Sequence, residues 1–201
     1  MIAHRYDTQV DKNYRDTYKL TIEKTTPYLK NTDTVLDFAC GTGITTIELA
    51  KQVQEIHAID ISRDMISFAT NKTRKHSINN VRYSVCDIMS NEIKENSFDV
   101  VLAFNVLHFL TNTDEVLERI RQLVKDDGLF ISVTDCSGEK KTIISTIQSF
   151  LSRSGVIPYM KEYTINELES VITKAGFSIL ETDNLYDIPP NYFITARKSP
   201  S

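Results

Sequence analysis

The stretch Thr34 to Ala50, TVLDFACGTGITTIELA, constrains the fold of this chain more than any other. It reads as a buried strand over Thr34 to Phe38, a glycine-bearing turn, Ala39-Cys40-Gly41-Thr42-Gly43, and a helix opening at about Ile44. A turn this short leaves the first N–H groups of the helix unpaired and lets a ligand approach where glycine has no side chain. The segment is therefore a cradle for part of a nucleotide-like ligand.

Asp37 narrows the choice of ligand. A carboxylate at the end of the strand repels a pyrophosphate and attracts an ammonium or a sulfonium group. S-adenosylmethionine carries both. The spacing also departs from the dinucleotide fingerprint, because Thr46 stands where its third glycine or alanine belongs.

The segments that follow repeat the alternation of strand and helix. Glu55 to Asp60 reads as a second strand ending in an acid, and a carboxylate at that tip can accept from both hydroxyls of a ribose. Ser62 caps the next helix, and Met65, one turn in, is a candidate to pack on an adenine face. Asn80 to Asp87 alternates apolar with polar residues and ends in a third acid, able to accept from an exocyclic amine. Phe98 to Phe104 is a near-continuous apolar run, as in a strand buried on both faces, and it delivers Asn105 and His108 to the carboxyl edge. A helix at 113–124, an Asp127-Gly128 turn and a fifth strand at 129–134 complete a βαβαβαβαβ order. Right-handed crossovers fold that order into a parallel sheet with helices on both faces, with ligands at its carboxyl edge.

The flanking segments differ in texture. Val10, Tyr14, Tyr18 and Ile22 recur at helical spacing, so residues 1–32 are expected to form a helical cover, with His4 and Tyr6 in a lid. Ile143, Ile144, Ile147, Phe150 and Leu151 mark an amphipathic helix at 141–153, followed by an irregular segment around Pro158. Residues 136–163 are thus the expected acceptor pocket or lid of a single 1–201 domain. Thr164 and Glu167 form a capping box for a helix ending at Gly176, and two strands, from Phe177 to about Leu185 and from Asn191 to about Arg197, read as a hairpin.

Composition excludes several classes of function. The formal charge is −4 and the basic residues are scattered apart from runs such as 72–75, whereas a nucleic-acid partner demands a broad basic face. No apolar run approaches membrane-spanning length, and Met1 to Asp7 lacks an apolar signal core, so a cytoplasmic protein without membrane insertion is expected. Cys40, Cys86 and Cys136 match neither a disulfide framework nor a zinc pattern, so they are expected to be small semi-buried thiols and no metal site is expected.

With these residues in place, the chain resembles the class I S-adenosylmethionine-dependent methyltransferases of small-molecule type. VLDFACGTG, IHAIDIS, VCDI and FDVVLAFNVLHFL look like the first four motifs of that family, and LVKDDGLFISV like its next strand. The resemblance implies a Rossmann-like, doubly wound α/β fold whose seven-stranded sheet is ordered 3-2-1-4-5-7-6 with the last strand antiparallel. It implies S-adenosyl-L-methionine as cofactor, leaving as S-adenosyl-L-homocysteine. By the same resemblance, Asp37, Ala39, Gly41 and Gly43 surround the methionine moiety and Asp60 the ribose, with Cys40, Thr42 and Ile61 among the cofactor-binding residues. Met65, Asp87 and Ile88 would hold the adenine, and Asn105 the methionine side. The family usually has glycine where this chain has Ala39, a change tolerable if its φ stays negative.

The implied reaction is in-line methyl transfer to a small, partly apolar acceptor. His108 is the candidate general base or acceptor contact, a packed pocket wall being the other reading. The competing functions are a catalytically silent cofactor-binding subunit and a nicotinamide-dependent oxidoreductase; Asp37 and Thr46 count against the second. The acceptor and the oligomeric state stay open at this stage.

Overall fold

The computed structural model describes residues 15–139, 159–187 and 189–200. One sheet of seven strands organises them: β1 (Thr34–Phe38), β2 (Glu55–Asp60), β3 (Val81–Val85), β4 (Phe98–Phe104), β5 (Val124–Asp135), β6 (Phe177–Asp187) and β7 (Pro190–Lys198). Their spatial order is β3-β2-β1-β4-β5-β7-β6. The first five run parallel, and β7 runs antiparallel to both β5 and β6. The parallel core expected from the order of elements, and the seven-strand order implied by the resemblance, are the ones observed.

Five described helices are α1 (Arg15–Thr25), α2 (Ile44–Leu49), α3 (Arg63–Lys75), α4 (Thr113–Leu123) and α5 (Ile165–Lys174). Alternation along the buried strands gives the sheet two apolar faces. Leu36, Val101, Phe130 and Ile194 pack with Leu117 and Ile120 of α4 and with Leu168 and Ile172 of α5. Val35, Ile56, Leu102, Ile131 and Phe193 pack on the opposite face with Leu49 of α2, Ile66 of α3 and Ile22 of α1. The parallel strands need this two-sided cover. The capping box read at Thr164 is present, with Glu167 as its reciprocal partner.

Two local differences from the sequence reading have physical causes. In α1 the most buried positions are Thr17, Thr21 and Thr25, with Tyr18 and Ile22 only half-buried. Threonine can take these positions because Thr21 and Thr25 donate to the carbonyls four residues back, at 2.9 and 2.7 Å, which removes the cost of burying a hydroxyl. Val10, Tyr14, His4, Tyr6 and the helix expected at 141–153 lie outside the described residues. The fifth strand starts at Val124, directly after α4, and Asp127-Gly128 is a bulge inside it: Phe98 pairs with Val124 but Val100 with Leu129. Gly128 is needed there, since a Cβ would fall 2.9 Å from the Asp99 carbonyl oxygen.

Candidate functional site

The carboxyl ends of β1, β2 and β3 supply most of the residues singled out from the sequence. After β1 the chain turns through three left-handed residues: Ala39 at φ +58°, Gly41 at +54° and Gly43 at +72°. The condition set for Ala39 is therefore not met. Glycine enters this region freely, whereas a side chain there costs about 1–2 kcal/mol, which explains why alanine is the exception at this place. Gly43 is held tight from below, since a Cβ on it would lie 2.8 Å from the Tyr83 hydroxyl. Gly41 is the opposite case: a Cβ built on it meets nothing within 4 Å, so its outer face is open to a ligand.

Asp60 joins the turn to the tip of β2. Its Oδ2 accepts from the Gly41 N–H at 2.9 Å and its Oδ1 from the Ser62 N–H at 2.8 Å. Cys40 N–H donates to the Ile59 carbonyl at 3.0 Å, a second tie between the same two strand ends. A carboxylate has about four acceptor positions. Two remain after these backbone bonds, the number needed for two vicinal hydroxyls. The Ser62 hydroxyl in turn accepts from Met65 N–H at 3.3 Å and caps α3.

Asp37 is placed differently. Its side chain is only 1% exposed, and Thr46 Oγ1, from α2, donates to Oδ2 at 2.6 Å. Burial pushes its carboxyl up to about 7; the Thr46 hydroxyl opposes that shift and the charge of Asp60 adds to it. Thr46, which the sequence reading used only as a missing glycine, thus serves as the partner of a buried acid. Cys40 and Thr42 are buried, so the Cys40 side chain belongs to the core and its backbone faces the turn. Burial drives the Cys40 thiol far above its ordinary range and the Cys136 thiol up to about 12, which keeps both protonated.

Past these groups an apolar side chain is exposed. Ile61 is 75% exposed, and Met65 beside it is half-buried. Asp87 is exposed just beyond β3, with its carboxylate accepting from Met89 N–H at 2.8 Å. Ile88 turns its side chain into the core and gives its carbonyl to Arg119 Nε at 3.4 Å, so backbone is what it offers a ligand. No hydrogen bond joins Asp87 to Asp60 among the described residues; they stand at the tips of adjacent strands.

At the tip of β4, Asn105 has φ +54° and its Oδ1 accepts from Asn191 Nδ2 at 2.8 Å. His108 is 4% exposed, its Nδ1 has no partner among the described residues, and burial lowers its pKa to about 4. Its carbonyl accepts from Lys161 N–H at 2.7 Å, and Gly138 N–H donates to the Tyr163 carbonyl at 2.9 Å. The two ends of the 136–163 segment therefore converge beside the β4 tip, while 140–158 lie outside the described residues. Asp135 and Asn191 were missed in the sequence. Asp135 had a signal, being one more acid at the end of a parallel strand; Asn191 had none.

The profile of the family described as "Methyltransferase domain" matches residues 29–176, which include the turn and the acids at the strand ends. The chain belongs to that family. An uncharacterized protein of Methanocaldococcus jannaschii is 28% identical over 207 residues, an alignment covering 92% of this chain and 78% of that protein. Phosphoethanolamine N-methyltransferase 2 of Caenorhabditis elegans is 24% identical over 159 residues, covering 76% of this chain and 34% of its own length. Among solved structures, geranyl diphosphate C-methyltransferase of Streptomyces coelicolor A3(2), in complex with Mg2+, geranyl diphosphate and S-adenosyl-L-homocysteine, superposes with a TM-score of 0.74 at 12% identity, covering 90% of this chain and 77% of that one. Geranyl diphosphate methyltransferases of this fold are solved in complex with S-adenosylmethionine and with S-adenosyl-L-homocysteine. The residues fit S-adenosylmethionine: an open glycine face, a carboxylate with two acceptor positions left, and an exposed apolar side chain lie along one edge. No described helix is long and apolar enough to cross a membrane.

Proposed function

We propose that this methyltransferase moves the methyl group of S-adenosylmethionine to a small, partly apolar acceptor by in-line displacement. The observation that carries the reading is the Asp60 carboxylate bound to the Gly41 N–H, which makes the ribose acid and the methionine turn one preorganised unit. Asp60 would take the ribose hydroxyls, Ile61 and Met65 the adenine face, Asp87 the exocyclic amine and the Ile88 backbone the ring edge. Asp37, Ala39, Cys40, Gly41, Thr42, Gly43 and Asn105 would enclose the methionine arm.

The sulfonium supplies a good leaving group. The chain's own task is then to hold the acceptor in line with the methyl and to exclude water, an orientation effect worth up to roughly 7–11 kcal/mol. We assign the acceptor to the side where residues 136–139 and 159–163 meet the β4 tip. His108 is there a wall residue: an imidazole whose pKa is about 4 takes a proton weakly at neutral pH. A small metabolite as acceptor accords with a cytoplasmic location. Incubation with methyl-labelled cofactor and a small-molecule extract tests the assignment. Label in a low-mass product supports it; label only in protein or nucleic acid refutes it. Turnover by His108→Phe within tenfold of wild type supports the wall role.

A further inference from the structure

The tips of β5 and β7 carry polar groups that have no part in the proposed cofactor site. Asp135, the last residue of β5, stands opposite Asn191 in the antiparallel register with β7. Residues so paired place their Cβ atoms about 5 Å apart on one face of the sheet. Asn191 gives its amide N–H to Asn105, just past the end of β4, which fixes the amide's direction and leaves its oxygen over. Asp135 Oδ1 and Asn191 Oδ1 are both buried and neither meets a donor among the described residues. The Ser137 backbone N–H donates to the Asp135 carboxylate, so one edge of the group is already held.

Buried acceptors without donors are rare, and each costs about 1–3 kcal/mol. Two at one strand tip, one of them a carboxylate, form a niche for a ligand that brings N–H donors and positive charge. Burial raises the Asp135 carboxyl to about 6, low enough to leave it ionised at neutral pH. The niche also lies at the right distance. With strands about 4.8 Å apart, β5 is about 10 Å from the β1 turn, the span of a small acceptor set beside the methionine arm.

We propose that Asp135 and Asn191 bind the ammonium group of the methyl acceptor, so that the substrate class is a small primary or secondary amine-bearing molecule anchored at the β5–β7 tip. This rests on the methyltransferase reading for its second ligand. The cofactor carries an ammonium too, and the test separates the two sources.

Ethylammonium is titrated by NMR into protein saturated with S-adenosylhomocysteine, with phenol as the uncharged control. Saturable millimolar binding of ethylammonium is expected, weakened at least tenfold in Asp135→Asn and recovered when Asn191→Asp is added to that variant, which moves the carboxylate across the pair. S-adenosylhomocysteine affinity in Asp135→Asn should stay within twofold of wild type, which also shows that the variant is folded. Absence of ethylammonium binding, binding indifferent to Asp135→Asn, or binding of phenol alone overturns the proposal. So does loss of S-adenosylhomocysteine affinity with retained affinity for 5′-methylthioadenosine, which lacks the amino-acid arm; that result gives the niche to the cofactor. If wild-type protein binds no S-adenosylhomocysteine, the methyltransferase reading fails on its own, and ethylammonium titrated into the free protein still decides the niche.

Discussion

The Gly41 N–H lies 2.9 Å from Asp60 Oδ2, so the turn after β1 and the acid ending β2 form a single hydrogen-bonded unit before any ligand arrives. Asp60→Ala removes the support of the turn and, with it, the proposed acceptor for two hydroxyls. Hydrogen bonds to a charged group are worth about 1.5–3 kcal/mol each, so S-adenosylhomocysteine affinity is expected to fall about tenfold to several hundredfold. Calorimetry checks it, and unchanged affinity would remove Asp60 from the site.

Ala39 holds a left-handed backbone at φ +58°. Ala39→Gly relieves that strain at some cost in unfolded-chain entropy, and a net gain of about 0.5–1 kcal/mol in stability is expected. For a chain of this size that is a rise of roughly 1–4 °C in melting temperature. Cofactor affinity should be retained, because the change adds nothing to the pocket.

Asp37 is buried with its carboxyl raised to about 7, so below that pH it is protonated in the free protein. A cationic ligand favours the ionised form. Binding therefore releases a proton below pH 7, and affinity for S-adenosylmethionine is expected to rise with pH, by up to about tenfold per unit, and to level above pH 7. Titrations from pH 5.5 to 8.5 measure the slope. Asp37→Asn should flatten it.

His57 and His108 are both buried and held neutral, with pKa values near 4. Burial is the main cause; for His57 the Arg82 guanidinium, which donates to Nδ1 at 3.0 Å, adds to it. The unfolded chain protonates both near pH 6.5, so their stabilisation is complete above that pH and is lost as pH falls toward 4, by up to roughly 3 kcal/mol for each. Asp37 works the other way, because its raised pKa favours the folded state as pH falls from 7 toward 4. Urea midpoints of Asp37→Asn are thus expected to drop more steeply between pH 7 and pH 4 than those of wild type.

The fold was legible because its signals are local. β1, β2, β3 and β5 each carry an acid at or beside the carboxyl end and β4 is a near-continuous apolar run, and right-handed crossovers leave few ways to arrange such a series. The β1 turn and Asp60 were legible for the same reason, being fixed in sequence by the strand ends that carry them. Ala39 was not, because no pattern local to the turn displays its left-handed φ, which accompanies a tie between Cys40 and Ile59 of another strand. The burial of Thr21 and Thr25 escaped a pattern of apolar letters, since a hydroxyl that bonds its own helix behaves as apolar surface. Asn191 was not legible because its place depends on its register opposite Asp135 and its bond to Asn105, pairings across strands that no pattern local to β7 displays.

The central claim is that the edge formed by Gly41, Asp60 and Ile61 holds S-adenosylmethionine. An isothermal titration with S-adenosylhomocysteine, run beside NAD on the same protein, tests it most directly. Saturable binding of S-adenosylhomocysteine with no heat from NAD is the expected result. Binding of NAD alone, or of neither ligand, would contradict it.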